Sequence, residues 1–148
     1  MRVRSIPNGL ALRKVISSAP RCHEFNPEGT DLNANPFDGE GSHRVIRELL
    51  VHPLVQDVTP FSRGAVLAAA AQGGGNKTQI GDPALDTVDW HESRTPGNMR
   101  VDYVLPSADL TVTGAGVFWP APDEVGFAFV GSNGDLGSHH RLVWVDIE

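Results

Sequence analysis

Arg141 to Ile147 puts apolar side chains on both faces of an extended segment, with Leu142 and Trp144 on one and Val143, Val145 and Ile147 on the other. Successive side chains of a strand point to opposite faces, so such a segment belongs inside a sheet and should be covered on both sides. Two further strands precede it. Val101 to Leu105 alternates, with Val101, Tyr103 and Leu105 on one face and Asp102 and Val104 on the other. Leu110 to Trp119 is the second, where Gly114 and Gly116 mark a bulge or a close backbone approach. Sixteen glycines and eleven prolines in 148 residues exceed the usual share of about 12%. That excess demands many turns and argues against a helical bundle.

Helical periodicity is confined to two short stretches. Ser42 can cap a helix whose apolar residues are Val45, Ile46, Leu49 and Leu50, and Pro53 closes it. Ala65 to Gln72 is the second, ended by Gly73, Gly74 and Gly75. Residues 73–99 carry Gly, Pro, Asp and Asn throughout and read as one long surface loop, and residues 120–139 read as loop again. Residues 1–29 show no sustained period. Cys22, His23 and Glu24 stand side by side there, and adjacent residues rarely point at one metal centre.

Composition narrows the function. The formal net charge is −6, no run of basic residues occurs, and Lys14 and Lys77 are the only lysines. A protein that holds nucleic acid by broad electrostatics is normally basic on at least one face. A polyanionic substrate would therefore need local help, for which a metal ion is the natural source. Cys22 is the only cysteine, which excludes a disulfide framework and a Cys-based zinc site. The longest apolar run, Ala65 to Ala71, falls far short of the ~20 residues of a spanning helix. Arg13 and Lys14 interrupt the only candidate signal-peptide core. No membrane partner and no targeting are expected, and the compartment stays undetermined.

Three polar segments sit where strands end. In an extended Asp31-Leu32-Asn33, the carboxylate and the amide fall on one side and can converge on a ligand. A carboxylate suits a hard cation, and an amide can hold a phosphoryl oxygen or a water. An Asx-turn before Pro36 is the competing reading. Asp102 lies in an otherwise apolar strand, where a carboxylate costs free energy unless paired. An imidazole is a natural partner, and an edge strand facing water is the alternative. Ser138-His139-His140 precedes the last strand. A histidine held there can move a proton or stabilise phosphoryl oxygens, or the pair can be an inert surface feature.

In this order the segments resemble the endonuclease/exonuclease/phosphatase superfamily, the DNase-I-like metal-dependent phosphoesterases. That family carries Gly-Asp-x-Asn-Ala-x-Pro, then Arg-x-Asp-Tyr, then Ser-Asp-His before a final strand. This chain has Thr30-Asp31-Leu32-Asn33-Ala34-Asn35-Pro36, Arg100-Val101-Asp102-Tyr103 and Ser138-His139-His140. The phrases Gly81-Asp82-Pro83 and Gly116-Val117-Phe118-Trp119-Pro120 are similar to a bacterial branch of it. The resemblance spans Thr30 to Glu148. It implies an α/β fold, the C-terminal half of a two-sheet sandwich with mainly antiparallel strands and one or two short helices. Residues 1–29 form an unmatched N-terminal segment.

The resemblance also implies roles. Asp31 would engage a metal or activate the attacking water, and Asn33 would position the scissile phosphate. Asp102 would orient His140, and His140 would pair with the phosphate or assist proton transfer. The cofactor would be Mg²⁺ or Mn²⁺, and the reaction hydrolysis of a phosphoester, a small molecule rather than long nucleic acid. His139 stands where the family has Asp, which weakens the hold on a hard cation or favours a metal that accepts imidazole. The family's N-terminal half supplies one sheet, an early Asn and a metal-binding Glu, and Glu24 and Glu28 are not promoted to that role. Half a sandwich would expose the inner face of its sheet, implying self-association or a partner chain. A non-catalytic remnant or interaction module is therefore the competing function. A metal-binding protein using His91, His139 and His140 is a third, which nothing in their spacing selects.

Overall fold

The computed structural model describes residues 30–90, 96–131 and 138–148. The segment 1–29, with Cys22, His23, Glu24 and Glu28, lies outside the described residues, as does His91.

The architecture is α/β, with antiparallel strand pairs and short helices. β1 (Thr30–Asp31) pairs with β2 (Asp102–Tyr103), setting Thr30 opposite Tyr103 and Asp31 opposite Asp102. Further along, β3 (Val112–Val117) pairs with β4 (Val143–Ile147), from Val112 opposite Ile147 to Val117 opposite Val143. The register shifts between Val112 and Gly114, beside one of the two expected glycines. Gly116 accounts for the other, since a Cβ there would lie 2.8 Å from the Trp144 ring. The indole of β4 needs that missing side chain to lie across β3. Among the described residues β4 bonds only to β3. Val143 and Val145 are buried, but Leu142, just before the strand, is 52% exposed, so among the described residues the expected cover on both faces is incomplete.

Between the strand pairs lie α1 (His43–Leu50) and α2 (Arg63–Gln72). Ser42 stands at the N-cap of α1 without a side-chain cap bond. Only Ile46 of α1 is buried, while Val45 is 64% exposed. The α2 start is better tied: Ser62 Oγ accepts from the Ala65 N–H and donates to the Trp119 carbonyl at 2.6 Å. Gly64 brings the helix against that same backbone, because a Cβ would sit 2.0 Å from the Trp119 oxygen. Gly73, at φ 65°, ends the helix.

Two small cores result. Ala65, Val117, Trp119 and Val130 form the first, joined by Ala68 and Phe127. Val130 comes from α3 (Phe127–Val130), a helical turn inside the stretch expected to be loop. Val88, Met99 and Val101 form the second, with Trp90 against it. Val88 and Met99 belong to the segment expected as a surface loop, but they are buried in this core. The polar residues that suggested a loop are bonded internally. Asn98 is fully buried and donates through its side chain to Gln72, while its backbone N–H reaches Asn76 Oδ1. Among the described residues no helix is long and apolar enough to cross a membrane.

Candidate active site

The β1–β2 register places Asp31 directly opposite Asp102. The third member arrives through residues 87–89. Val88 bridges Met99 on one side and His140 on the other. Thr87 O accepts from the Arg141 N–H at 2.7 Å, and the Asp89 N–H donates to His139 O at 2.9 Å. This short antiparallel splice carries His140 to Asp102, where its Nδ1 lies 3.0 Å from each carboxylate oxygen. Asp31, Asp102 and His140 each offer a ligand atom within 4.8 Å of the others.

Asp102 is held from behind as well. Thr87, fully buried, donates its hydroxyl to Asp102 Oδ2 at 2.8 Å and accepts the backbone N–H of Val101 and of Asp102 at 3.0 Å each. Burial pushes the Asp102 carboxyl above its ordinary value, while the hydrogen bonds from Thr87 and His140 draw it back. Its side chain is 14% exposed and that of His140 is 39% exposed. The pair thus has one sheltered member and one that meets solvent.

Asn33 does not lie two steps along a continuous strand from Asp31. It has φ 45°, and its N–H donates to Asp31 Oδ1 at 2.7 Å, so the chain turns there. Short polar side chains tolerate that conformation because they bond locally. Asn35 makes the next anchor. Its Oδ1 accepts the N–H groups of Phe37 and Asp38, and its Nδ2 donates to the Arg100 carbonyl at 3.1 Å. Tyr103 completes the tie, its hydroxyl 2.8 Å from the Ala34 carbonyl. Burial pushes that phenol up to about 12.

His139 is not part of the three-residue cluster. Its Nδ1 lies 3.0 Å from the Asp89 carbonyl oxygen. Sequence reasoning gave no role to Thr87, Asp89 or Arg141. The one available signal was Asp86-Thr87-Val88-Asp89, two β-branched residues between carboxylates inside an apparent loop.

The donor set suits a divalent cation. The carboxylates suit a hard ion, and the imidazole, where it is not bonded to Asp102, is a donor that Mn²⁺ accepts more readily than Mg²⁺.

An α/β chain with a carboxylate–imidazole cluster at its strand ends is consistent with a phosphoesterase domain. Residues 29–138 match the Endonuclease/Exonuclease/phosphatase family, and the chain belongs to that family. Its small antiparallel α/β architecture is consistent with part of the DNase-I-like fold. Members of this family usually employ divalent metals. No curated protein and no solved structure matches the chain significantly.

Proposed function

We propose that this protein is a divalent-metal-dependent phosphoester hydrolase, with Asp31, Asn33, Asp102 and His140 as its working residues. One observation carries the reading: three residues far apart in sequence converge within 4.8 Å in a chain of this family. Asp102 accepts the Nδ1 proton of His140, which fixes the tautomer and leaves Nε2 to meet a phosphoryl oxygen or move a proton. Asp31 is exposed, with one oxygen occupied by the Asn33 N–H and the other left for a cation or the attacking water. The Asn33 amide would position the scissile phosphate. Mg²⁺ or Mn²⁺, held through Asp31, would offset charge on the phosphoryl oxygens. The net charge of −6 favours a small phosphoester over long nucleic acid.

The test is turnover of bis(p-nitrophenyl) phosphate with Mg²⁺, with Mn²⁺ and with a chelator, beside Asp31→Ala and His140→Ala. Metal-dependent turnover lost in both variants supports the reading. Turnover retained in His140→Ala discards it.

A second reading is favoured by the surface. Phe37, Val51, Leu54, Phe61, Val125 and Phe129 are each at least half exposed. Where such side chains adjoin, they would offer an apolar interaction surface. In this reading the chain completes its fold against a second copy or a partner chain, and hydrolysis requires that assembly or is lost. A monomer in sedimentation that is fully active would overturn it.

A further inference from the structure

We infer that the buried ion pair between Asp89 and Arg141 is the device that positions His140, an inference that rests on the hydrolase reading above. Arg141 Nη2 lies 2.6 Å from Asp89 Oδ2, and the two side chains are 3% and 4% exposed. Each end does more than pair. Arg141 Nη1 donates to the Ser138 carbonyl at 3.0 Å, and its guanidinium lies over the Trp119 ring, 4.7 Å from the centroid. Asp89 Oδ1 accepts from Gln72 Nε2 at 2.7 Å. Gln72 is the last residue of α2, and its Oε1 in turn accepts from Asn98 and Asn76.

The consequence falls on the residue between. Ser138 is fixed through its carbonyl, His139 through its carbonyl and ring, and Arg141 through both backbone and side chain. Among the described residues, the hydrogen bonds of His140 itself are the Asp102 contact and a backbone bond to Ser138 Oγ. Its imidazole reaches Asp102 because its neighbours are clamped to residues 87–89. Burying an ion pair seldom stabilises a fold more than apolar residues of similar size would. The value of this one lies in direction: a planar guanidinium that meets a carboxylate, a carbonyl and an indole at once admits a single loop geometry. A catalytic group has to be held to about half an ångström. Asp89 and Arg141 are positioning residues; neither belongs to the metal-competent cluster.

The experiment uses the double variant Asp89→Leu/Arg141→Met, which removes both charges together and leaves no buried ion alone. The readout is the proton NMR signal of the His140 Nδ1–H bonded to Asp102, assigned by its loss in His140→Gln. The inference expects that signal in the wild type. It expects its loss in the double variant with the circular dichroism spectrum unchanged, and a fall in kcat of about 10²-fold with KM little altered. A signal unchanged in the folded double variant overturns it, as does its absence from the wild type. Should the double variant not fold, Arg141→Lys decides, because Lys keeps the charge but lacks the planar fork. A wild-type signal there overturns the inference, and a lost one supports it. A wild type that hydrolyses nothing yet keeps the signal would sink the hydrolase reading alone.

Discussion

His140 Nδ1 stands 3.0 Å from both carboxylate oxygens of Asp102, 38 positions away in the chain. Neither residue is brought there by a long strand. Asp102 belongs to a two-residue strand, and His140 is joined to the rest by a single bridge through Val88. Isolated bridges give little cooperative stability, so the pair depends on side-chain bonds around it. That dependence is where the molecule can be tested.

Thr87 is the first place to look. Its hydroxyl serves two backbone N–H groups and the Asp102 carboxylate at once. Thr87→Val keeps the volume but leaves buried polar groups without partners, at roughly 1–3 kcal/mol each. We expect a loss of at least about 2 kcal/mol in urea unfolding. Thr87→Ser should recover most of it.

Asp86 makes stability depend on pH. It is almost wholly buried, and burial raises its carboxyl from 3.8 to about 8, with Asp38 and Asp82 adding to the rise and the Gln79 hydrogen bond opposing it. The folded state therefore holds a proton that the unfolded chain releases near its ordinary value. Its contribution is fully present below about pH 4 and is lost as pH climbs to about 8. Urea midpoints should fall between pH 5 and pH 8, and Asp86→Asn should flatten that slope. A wild-type profile as flat as that of the variant would contradict the assignment.

What the sequence made legible follows from how locally each feature is encoded. The C-terminal end of α2 was readable because Gly73 acts on its own neighbours, whereas the start was read at Ala65 rather than Arg63 and the Ser62 cap went unread. The three clustered residues were singled out through motif order, which says nothing of what joins them. Thr87 and Asp89 stayed hidden because a single-residue bridge leaves no alternation to read, and the polar residues of the same stretch, such as Asn76 and Asn98, which bond to each other, look like loop composition. Val45 shows the opposite error. It shares the apolar spacing of α1 yet faces solvent, since the described residues supply no surface to cover it.

The Gly116–Trp144 contact should behave as a coupled pair. A Cβ at 116 would meet the indole at 2.8 Å, closer than atoms can sit without a shift. Gly116→Ala is expected to cost about 1–3 kcal/mol in the wild-type background through overpacking. With Trp144→Leu in place the same change should cost much less, because the obstructing ring is gone. Additive costs across that double-mutant cycle would show that the two do not compete for space.

Arg100 offers the last and largest effect. Its guanidinium is 5% exposed, reaches Asp57 through two nitrogens at 2.6 and 3.1 Å, and lies over the Tyr103 ring, 4.5 Å from the centroid. Asp57→Ala strips a buried cation of its counter-charge, which costs about 3–5 kcal/mol when burial is complete. Asp57 is itself 21% exposed, so water can reach the gap and the lower end of that range is expected. Arg100 is followed two residues later by Asp102, and its carbonyl receives the Asn35 amide that anchors the turn beyond β1. Loosening Arg100 should therefore reach the site before the fold gives way. In Asp57→Ala the His140 Nδ1 proton should broaden at temperatures well below the unfolding midpoint, whereas coincident loss of both would assign Arg100 to global stability alone.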